Sequence, residues 1–410
     1  MAQALSSTLP VLHEDLSDEL ALLDNENTIF SSTVKAGGRA GASIYYRPAD
    51  KQLTPTLGAR SEGSSVTRST VTNHFTNREK IPGIVQEMVT TWGVSDRARV
   101  VENPAGLDNV EGEARFRALE LHKNKKELMF LSEQRQEDAA SVHNDEGTLV
   151  SAHIAMGASA WADSAAQPGG HPVPSAYRPP SGHTIDIASV SAFTEANLRT
   201  MLTNARKAKR KNVNLTLFGS VDYCNHLATF FDSGSTSGSV TPIRRFNQDS
   251  TSGEITSKLT GYHTAFGDLM VVPTELLNGI RNAGTIVTSG SNADGQAVIN
   301  CVSTAGLQTG MKVFHANLAA GAYILSIESA TAFTLSSNVV TTINTATSLT
   351  VGWEDHALCL DMEYFFEVLD GLEEVDLSAD GSGMQGYVKE FVSLFCSMPY
   401  VQGKVVTNPA

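Results

Sequence analysis

Between residues 108 and 137, apolar side chains fall on two stripes of one helix: Ala114, Ala118, Leu121, Leu128 and Met129 along one face, Phe116, Leu119 and Phe130 along the other. Asp108 followed by Glu111 makes a capping-box-like start, and neither Pro nor Gly interrupts the run between Gly112 and Gly147. Glu111 with Arg115, and Glu113 with Arg117, are i,i+4 pairs in the favourable orientation. At a rise of ~1.5 Å per residue, a helix from Val110 to Glu137 would be roughly 42 Å long. A helix that is apolar on two sides must be packed from two sides. This one is predicted to be a spine, within one domain or between layers or subunits.

Helical spacing returns in shorter pieces. Residues 12–27 carry Leu16, Leu20 and Leu23 on one side of an amphipathic helix, and residues 149–164 read as a second helix after the spine. A loop containing Pro168, Pro172, Pro174, Pro179 and Pro180 follows. Thr194 is an N-cap for a helix with Leu198, Met201, Leu202 and Ala205 on one face; with the strand 214–218 and the helix 221–231 it predicts an α/β module. Residues 255–273 read as a hairpin turning near Gly267, and strand-like stretches resume at 358–366 and 387–397.

Two segments lack this helical grammar. Residues 35–91 are rich in Gly, Ser, Thr and Arg, with extended runs at 42–47, 66–76 and 84–91 and few large apolar residues. They predict a long β-hairpin that cannot bury its strands within one subunit. From residue 283 to 351 only Asp294, Lys312 and Glu328 are charged, and short strands alternate with Gly or Asn turns at 285–288, 297–302, 311–314, 323–328, 333–336 and 348–351. The flanking sequences, FGDLMVVPTELL and HALCLDMEYFF, read as one host domain interrupted by an all-β, sandwich-like insertion.

Composition narrows the functional classes. At 410 residues the chain exceeds the size at which one core keeps growing, and its formal charge of -14 gives no overall field toward nucleic acid or an anionic membrane. Cys224, Cys301, Cys359 and Cys396 are widely separated and form no C-x-x-C, the pattern of reduced, buried residues in an intracellular protein. No signal peptide opens the sequence, and no run of about 18 apolar residues would span a membrane.

Candidate chemistry is sparse. Gly381, Gly383 and Gly386 spell G-x-G-x-x-G, but a dinucleotide site needs a strand before it, a helix after it and an acidic residue about 20 positions on, and no residue after Glu390 is acidic. Asp376, Ser378, Asp380 and Gly381 copy the start of an EF-hand loop whose twelfth position is Tyr387 rather than a bidentate Glu. The acidic run Glu354, Asp355, Asp361, Glu363, Glu367, Asp370, Glu373, Glu374, Asp376 and Asp380 contains no Lys or Arg and reads as a solvated face. Arg206, Lys207, Lys209, Arg210 and Lys211 complement a helix C-terminus, or else contact another subunit or nucleic acid. His122, His153, His171 and His183 are not spaced as metal ligands, and no nucleophile elbow, H-E-x-x-H or Walker A pattern occurs. No catalytic, cofactor-binding or metal-binding residue is therefore assigned, and no cofactor is expected.

The order EDLSD near the start, SEG before the hairpin strands, the long charged helix, then FTEANLRTML, LTLFGS and AFGDLMVVP resembles the major capsid proteins of tailed bacteriophages. The resemblance implies an α+β fold with an N-terminal arm at 1–34, an extended loop at 35–107, the spine helix with peripheral and axial domains at 108–282, an inserted domain at 283–352 and a return to the host domain at 353–410. It implies a structural role, without enzymatic activity: hexamers and pentamers of one chain closing an icosahedral virion shell around double-stranded DNA held by non-specific contact. Assembly in the host cytoplasm, a portal, a separate scaffolding protein and a decoration protein go with that role; a membrane does not. The basic fold lacks the insertion. Met1 lies close to the arm, so no fused scaffold and no large cleavage are expected, nor is a covalent cross-link between subunits. A cell-surface or glycan-binding protein acting through the β insertion is the alternative.

Overall fold

Strong helix formers without a breaker produce the spine helix, Val110–Leu131, with Glu111 and Glu113 in its first turn where they complement the helix dipole. The computed structural model describes residues 28–51, 57–65, 78–96, 110–143, 149–164, 171–187, 189–232, 261–265, 267–277, 281–307, 310–319, 321–353, 356–377 and 383–407. The helix expected at 12–27 and the extended run at 66–76 lie outside the described residues.

The spine stops before Glu137, and Ser132 is the reason. Its backbone N–H and its hydroxyl both turn back to Met129 O, at 3.2 and 2.7 Å. Gly157 packs so closely on this exit that a Cβ there would sit 2.2 Å from Ser132 O. The chain therefore leaves the helix and continues into the strand Glu137–His143, which pairs antiparallel with Leu149–Ile154. The helix expected at 149–164 is thus half strand, and only Ala158–Trp161 is helical. Residues 154–162 are all buried, so no polar stripe marks their period.

The spine lies on a four-stranded sheet ordered Lys35–Ala36, Phe365–Leu377, Gly383–Cys396 and Gln86–Ser95. Met88, Thr90, Trp92 and Val94 alternate into the space beneath the helix. Gln86–Ser95 is an integral strand of this sheet, so the extended loop expected at 35–107 holds a core strand as well as an arm.

The arm hairpin pairs Ile44–Asp50 with Arg78–Ile84. Contrary to the sequence expectation, its base is buried within its own chain: Tyr45, Ile81 and Ile84 are buried, and the Tyr45 hydroxyl meets Ser393 Oγ at 2.9 Å. Arg47 lies over the rings of Tyr45 and Phe395, each with its centroid 5.4 Å away.

A six-stranded mixed sheet is ordered Thr184–Ile187, Gly403–Thr407, His356–Leu360, Val213–Gly219, Gly267–Pro273 and Gly261–Thr264. The helix Glu195–Lys209, capped by Thr194, buries Leu198, Met201, Leu202 and Ala205 against it. Val213–Gly219 runs through the helix Val221–Asp232 to its parallel neighbour Gly267–Pro273, the crossover expected of an α/β module. His356–Leu360 lies on the other side of the same central strand. The chain leaves this sheet and comes back to it around residues 281–353.

Those residues form two three-stranded sheets, ordered Arg281–Val287, Ser348–Trp353, Lys312–Phe314 and Val298–Asn300, Ala332–Leu335, Ile324–Ser329. Ile299, Ile324, Phe333, Leu335, Leu349 and Val351 centre a core of their own. The sheets meet at both edges, through the bridges Thr288–Cys301 and Lys312–Tyr323. The six strands close on themselves as a small barrel rather than standing as an open sandwich, and closure removes both sheet edges.

Candidate functional site: buried charge at the joints of the spine

The spine helix meets its sheet through charge as well as through apolar contacts such as Leu119 with Leu372 and Val388. His122 and Lys126, one helical turn apart, both reach Glu390: His122 Nε2 at 3.1 Å and Lys126 Nζ at 3.0 Å. Lys126 also pairs with Glu367 at 3.0 Å, and His122 Nδ1 meets Thr90 Oγ1 at 3.1 Å. The Glu390 side chain is fully buried. Burial alone would push its carboxyl up; the hydrogen bond with His122 and the charge of Lys126 outweigh it and hold the group below its ordinary value. Burial would likewise lower Lys126, yet Glu390 and Glu367 hold it above the ordinary lysine value.

The next residue, Glu127, turns the other way. Its two carboxylate oxygens accept from the backbone N–H groups of Phe30 and Ser31, each at 2.7 Å, at the start of the short helix Ile29–Thr33. Burial raises its carboxyl, partly offset by those backbone donors. Phe30 enters a ring cluster with Phe218, Phe130 and Phe365, at centroid distances of 5.2, 6.1 and 6.1 Å. Glu127→Ala leaves one buried and one part-buried amide unpaired, so it should cost about 1–3 kcal/mol and open the short helix Ile29–Thr33 to protease. Wild-type proteolysis and urea curves from this variant would contradict the role.

Near its first turn, Arg115 holds the far end of the hairpin Phe365–Leu377/Gly383–Cys396. Its guanidinium lies 2.9 Å from Asp376, 3.4 Å from Glu374 and 3.5 Å from Glu111, and stacks 4.8 Å over the Trp92 ring. Trp92 occupies space that Gly386 leaves open, since a Cβ there would lie 2.7 Å from the indole. A β-bulge at Gly371, φ 106, shifts the register between Leu369 and Leu372. The extra residue turns Leu372, Glu374 and Asp376 to the helix side that Glu367 faces before it.

The segment 132–136, read from sequence as the end of the helix, is a polar hub in which every residue is buried. Glu133 and Asp163 hold Lys404 Nζ at 3.0 and 3.2 Å, and Arg135 meets Asp163 at 3.0 Å. Gln134 donates to Gln86 Oε1 and Ala155 O, at 2.6 and 2.8 Å, while Gln136 donates to His171 O. Arg135 also stacks 4.5 Å over Tyr323 of the barrel, and Leu149 packs on the barrel core. The hub joins the spine, the strand Gln86–Ser95 of the four-stranded sheet, the six-stranded sheet and the barrel at one place.

These joints revise several sequence expectations. The acidic run is no bare solvated face: Glu367, Glu374 and Asp376 pair with the spine, and Asp361 and Glu363 take Lys209 at 2.6 and 3.3 Å. Lys209 is therefore buried, whereas Lys207, Arg210 and Lys211 of the basic run are exposed. His122 and His183 are buried polar contacts, with His183 Nδ1 3.0 Å from Gln402 O and lowered by burial. His153 meets Asp138 at 2.7 Å and His171 meets the Tyr46 hydroxyl at 3.3 Å. Gly383 and Gly386 lie in a strand, without the helix a dinucleotide loop requires. Ser378, Asp380 and Gly381 fall outside the described residues. Cys301, Cys359 and Cys396 are buried free thiols and Cys224 is half-buried. Among the described residues, no group of three His, Cys, Asp or Glu side chains is placed to hold a metal, and no helix is long and apolar enough to cross a membrane.

The two apolar stripes of the spine are also not both covered. Phe116 and Leu121 are 51% and 50% exposed, because the buried face is the one bearing Leu119, His122, Lys126 and Phe130. Leu119 and Phe130 of the second stripe signal this face in the sequence, and His122 and Lys126, at i,i+4 spacing, lie between them.

A family model described as SU10 major capsid protein matches residues 2–293. No curated protein matches the chain. Among solved structures, one described as Mycobacterium phage Bobi is similar at 9% identity and TM-score 0.48, covering 100% of both chains. The capsid of the cyanophage P-SCSP1u is similar at 11% identity and TM-score 0.44, covering 93% of this chain and 88% of that one. A virus-like particle from Pyrococcus furiosus is similar at 10% identity and TM-score 0.39, covering 95% and 98%.

Proposed function

This chain belongs to the SU10 major capsid protein family, a structural protein of the virion shell, and we propose that its copies close as hexamers and pentamers into an icosahedral shell around packaged double-stranded DNA. The family match over residues 2–293 carries this reading. The joints support it, because a wall element must keep its shape under load, and here the spine and both sheets are pinned to one another by buried ion pairs, with Arg135 of the same hub stacked on Tyr323 of the barrel. The role is mechanical rather than enzymatic. Scaffolding and portal proteins are its assembly partners in the host cytoplasm, and a decoration protein can join the outer wall. The tip of the arm hairpin, beyond the base that its own chain buries, reaches over a neighbour. Exposed Lys207, Arg210 and Lys211 suit non-specific phosphate contact, which weakens with salt.

The barrel stands on the outer face. With three charged residues between positions 283 and 351, it offers phosphate little to hold. The test is expression with the cognate scaffolding protein, followed by light scattering and negative-stain images: closed shells are expected, and a chain that stays a compact monomer overturns the reading. Replacing 283–351 with a short Gly/Ser linker should preserve shells and remove outer density. Density lost from the inner wall would place the barrel inside.

A further inference from the structure

One seam of the barrel faces its host and the opposite seam does not. Around the closed strand order, Lys312–Phe314 and Ile324–Ser329 meet at Lys312 and Tyr323, and it is Tyr323 that Arg135 covers. Three strands away, the end of Arg281–Val287 runs beside Val298–Asn300, with Val302 N–H donating to Val287 O at 2.9 Å. At that seam Val287 and Val302 face each other, 38% and 62% exposed, and Val298, 41% exposed, lies four residues before Val302 on the same strand face. Asn300 and Ser289 fill the gaps, so the seam is β-branched, apolar and uncharged. Single exposed valines are ordinary, but three on one seam opposite the docked edge make a patch.

Charge identifies the partner. Residues 283–351 carry Lys312 against Asp294 and Glu328, a net of -1, while the whole chain carries -14. Two copies repel over most of their surfaces and meet without that cost at the barrel. We propose that the Val287–Val298–Val302 seam is a homotypic contact, in which the barrel of one copy seats on the same seam of a neighbouring copy. A contact of like on like is self-complementary, with Val302 close to its own counterpart. The proposal rests on the copies being packed as capsid subunits and not on which wall the barrel faces.

Val302→Cys and, as a control, Thr200→Cys at an exposed position outside the barrel, on the helix Glu195–Lys209, are made in the full chain and treated with a short bis-maleimide. Background reaction is low because Cys224 is half-buried with its thiol pushed by burial to about 11, and the other native thiols are buried. A dimer band from V302C and none from T200C is expected, in shells or in any smaller oligomer. Equal linking at both positions, no dimer at V302C in any oligomer, or a link from V302C to a different polypeptide overturns the contact. Failure of the shell reading is seen separately, as absence of closed particles from the wild-type chain. In a second arm, Val302→Lys puts like charges across the seam: particles should dissociate at a lower temperature while the subunit unfolds as before, and an unchanged dissociation temperature overturns the proposal.

Discussion

Lys126→Met destabilises the subunit by about 3–5 kcal/mol, the range for removing one partner of a buried ion pair. The loss arises because Glu390, fully buried, and Glu367 keep their charge and lose the cation 3.0 Å away. The double variant Lys126→Met with Glu390→Gln should recover most of the loss, since it removes the stranded charge as well. The pH dependence is set by the direction of the shifts. Glu390 is held below its ordinary value in the fold, so it stabilises above the ordinary carboxylate range and that stability is lost as pH falls through this range to its folded value. Lys126 is held above its ordinary value, so its contribution is present at neutral pH and is lost only as pH rises through its folded value. The Glu390 contribution should therefore be lost on acidification, and the stability gap between wild type and Lys126→Met should narrow, because in the variant the Glu390 carboxyl is no longer held down by the ammonium. Urea unfolding across pH measures both effects; a single-variant loss below about 1 kcal/mol, or a double variant no better than the single, would refute the account.

What the sequence made legible is what periodicity and punctuation encode. The spine, the helix capped by Thr194, the strand and helix that follow it and the hairpin near Gly267 all follow from apolar spacing bounded by caps and turns. The uncharged tract 283–351 marked a change of environment, and its strands fall near the expected places. Barrel closure was not legible, because the edges that join are held by backbone contacts between Thr288 and Cys301, and between Lys312 and Tyr323, that no side-chain pattern records. The hub was misread for a physical reason: residues 132–136 are all good helix formers or neutral in a helix, and only the turn of Ser132 onto Met129 O and the close pass of Gly157 end the run. The buried charge was misread because its partners are remote. Lys126 and Glu390 are 264 positions apart, so a run of acids without a nearby cation looked solvated. Propensity speaks for neighbours, and the joints are made by residues that are not neighbours.

Lys404→Met should cost a similar amount, about 3–5 kcal/mol, and change the shape of unfolding as well as its midpoint. Lys404 sits in the strand Gly403–Thr407 of the six-stranded sheet, while Glu133 and Asp163 belong to the hub at the exit of the spine. The Lys404 and Glu133 side chains are 3% and 5% exposed, so the stranded carboxylates gain little from water. Arg135 remains on Asp163 at 3.0 Å, whereas the Ser159 hydroxyl, 3.4 Å from Glu133, brings no charge, so the loss of Lys404 weighs more on Glu133. Glu133→Gln in the Lys404→Met background should accordingly restore more stability than Asp163→Asn in the same background. The strand keeps its backbone pairing to Thr184–Ile187 and His356–Leu360 in all of these variants, so the sheet itself survives the substitution. What weakens is its tie to the spine, and with it the cooperativity that makes two units unfold as one. Calorimetry should show the wild-type transition broaden or split in Lys404→Met, with the early part abolished by Glu133→Gln. A single sharp transition displaced by less than about 1 kcal/mol would mean that the hub does not couple the sheet to the spine.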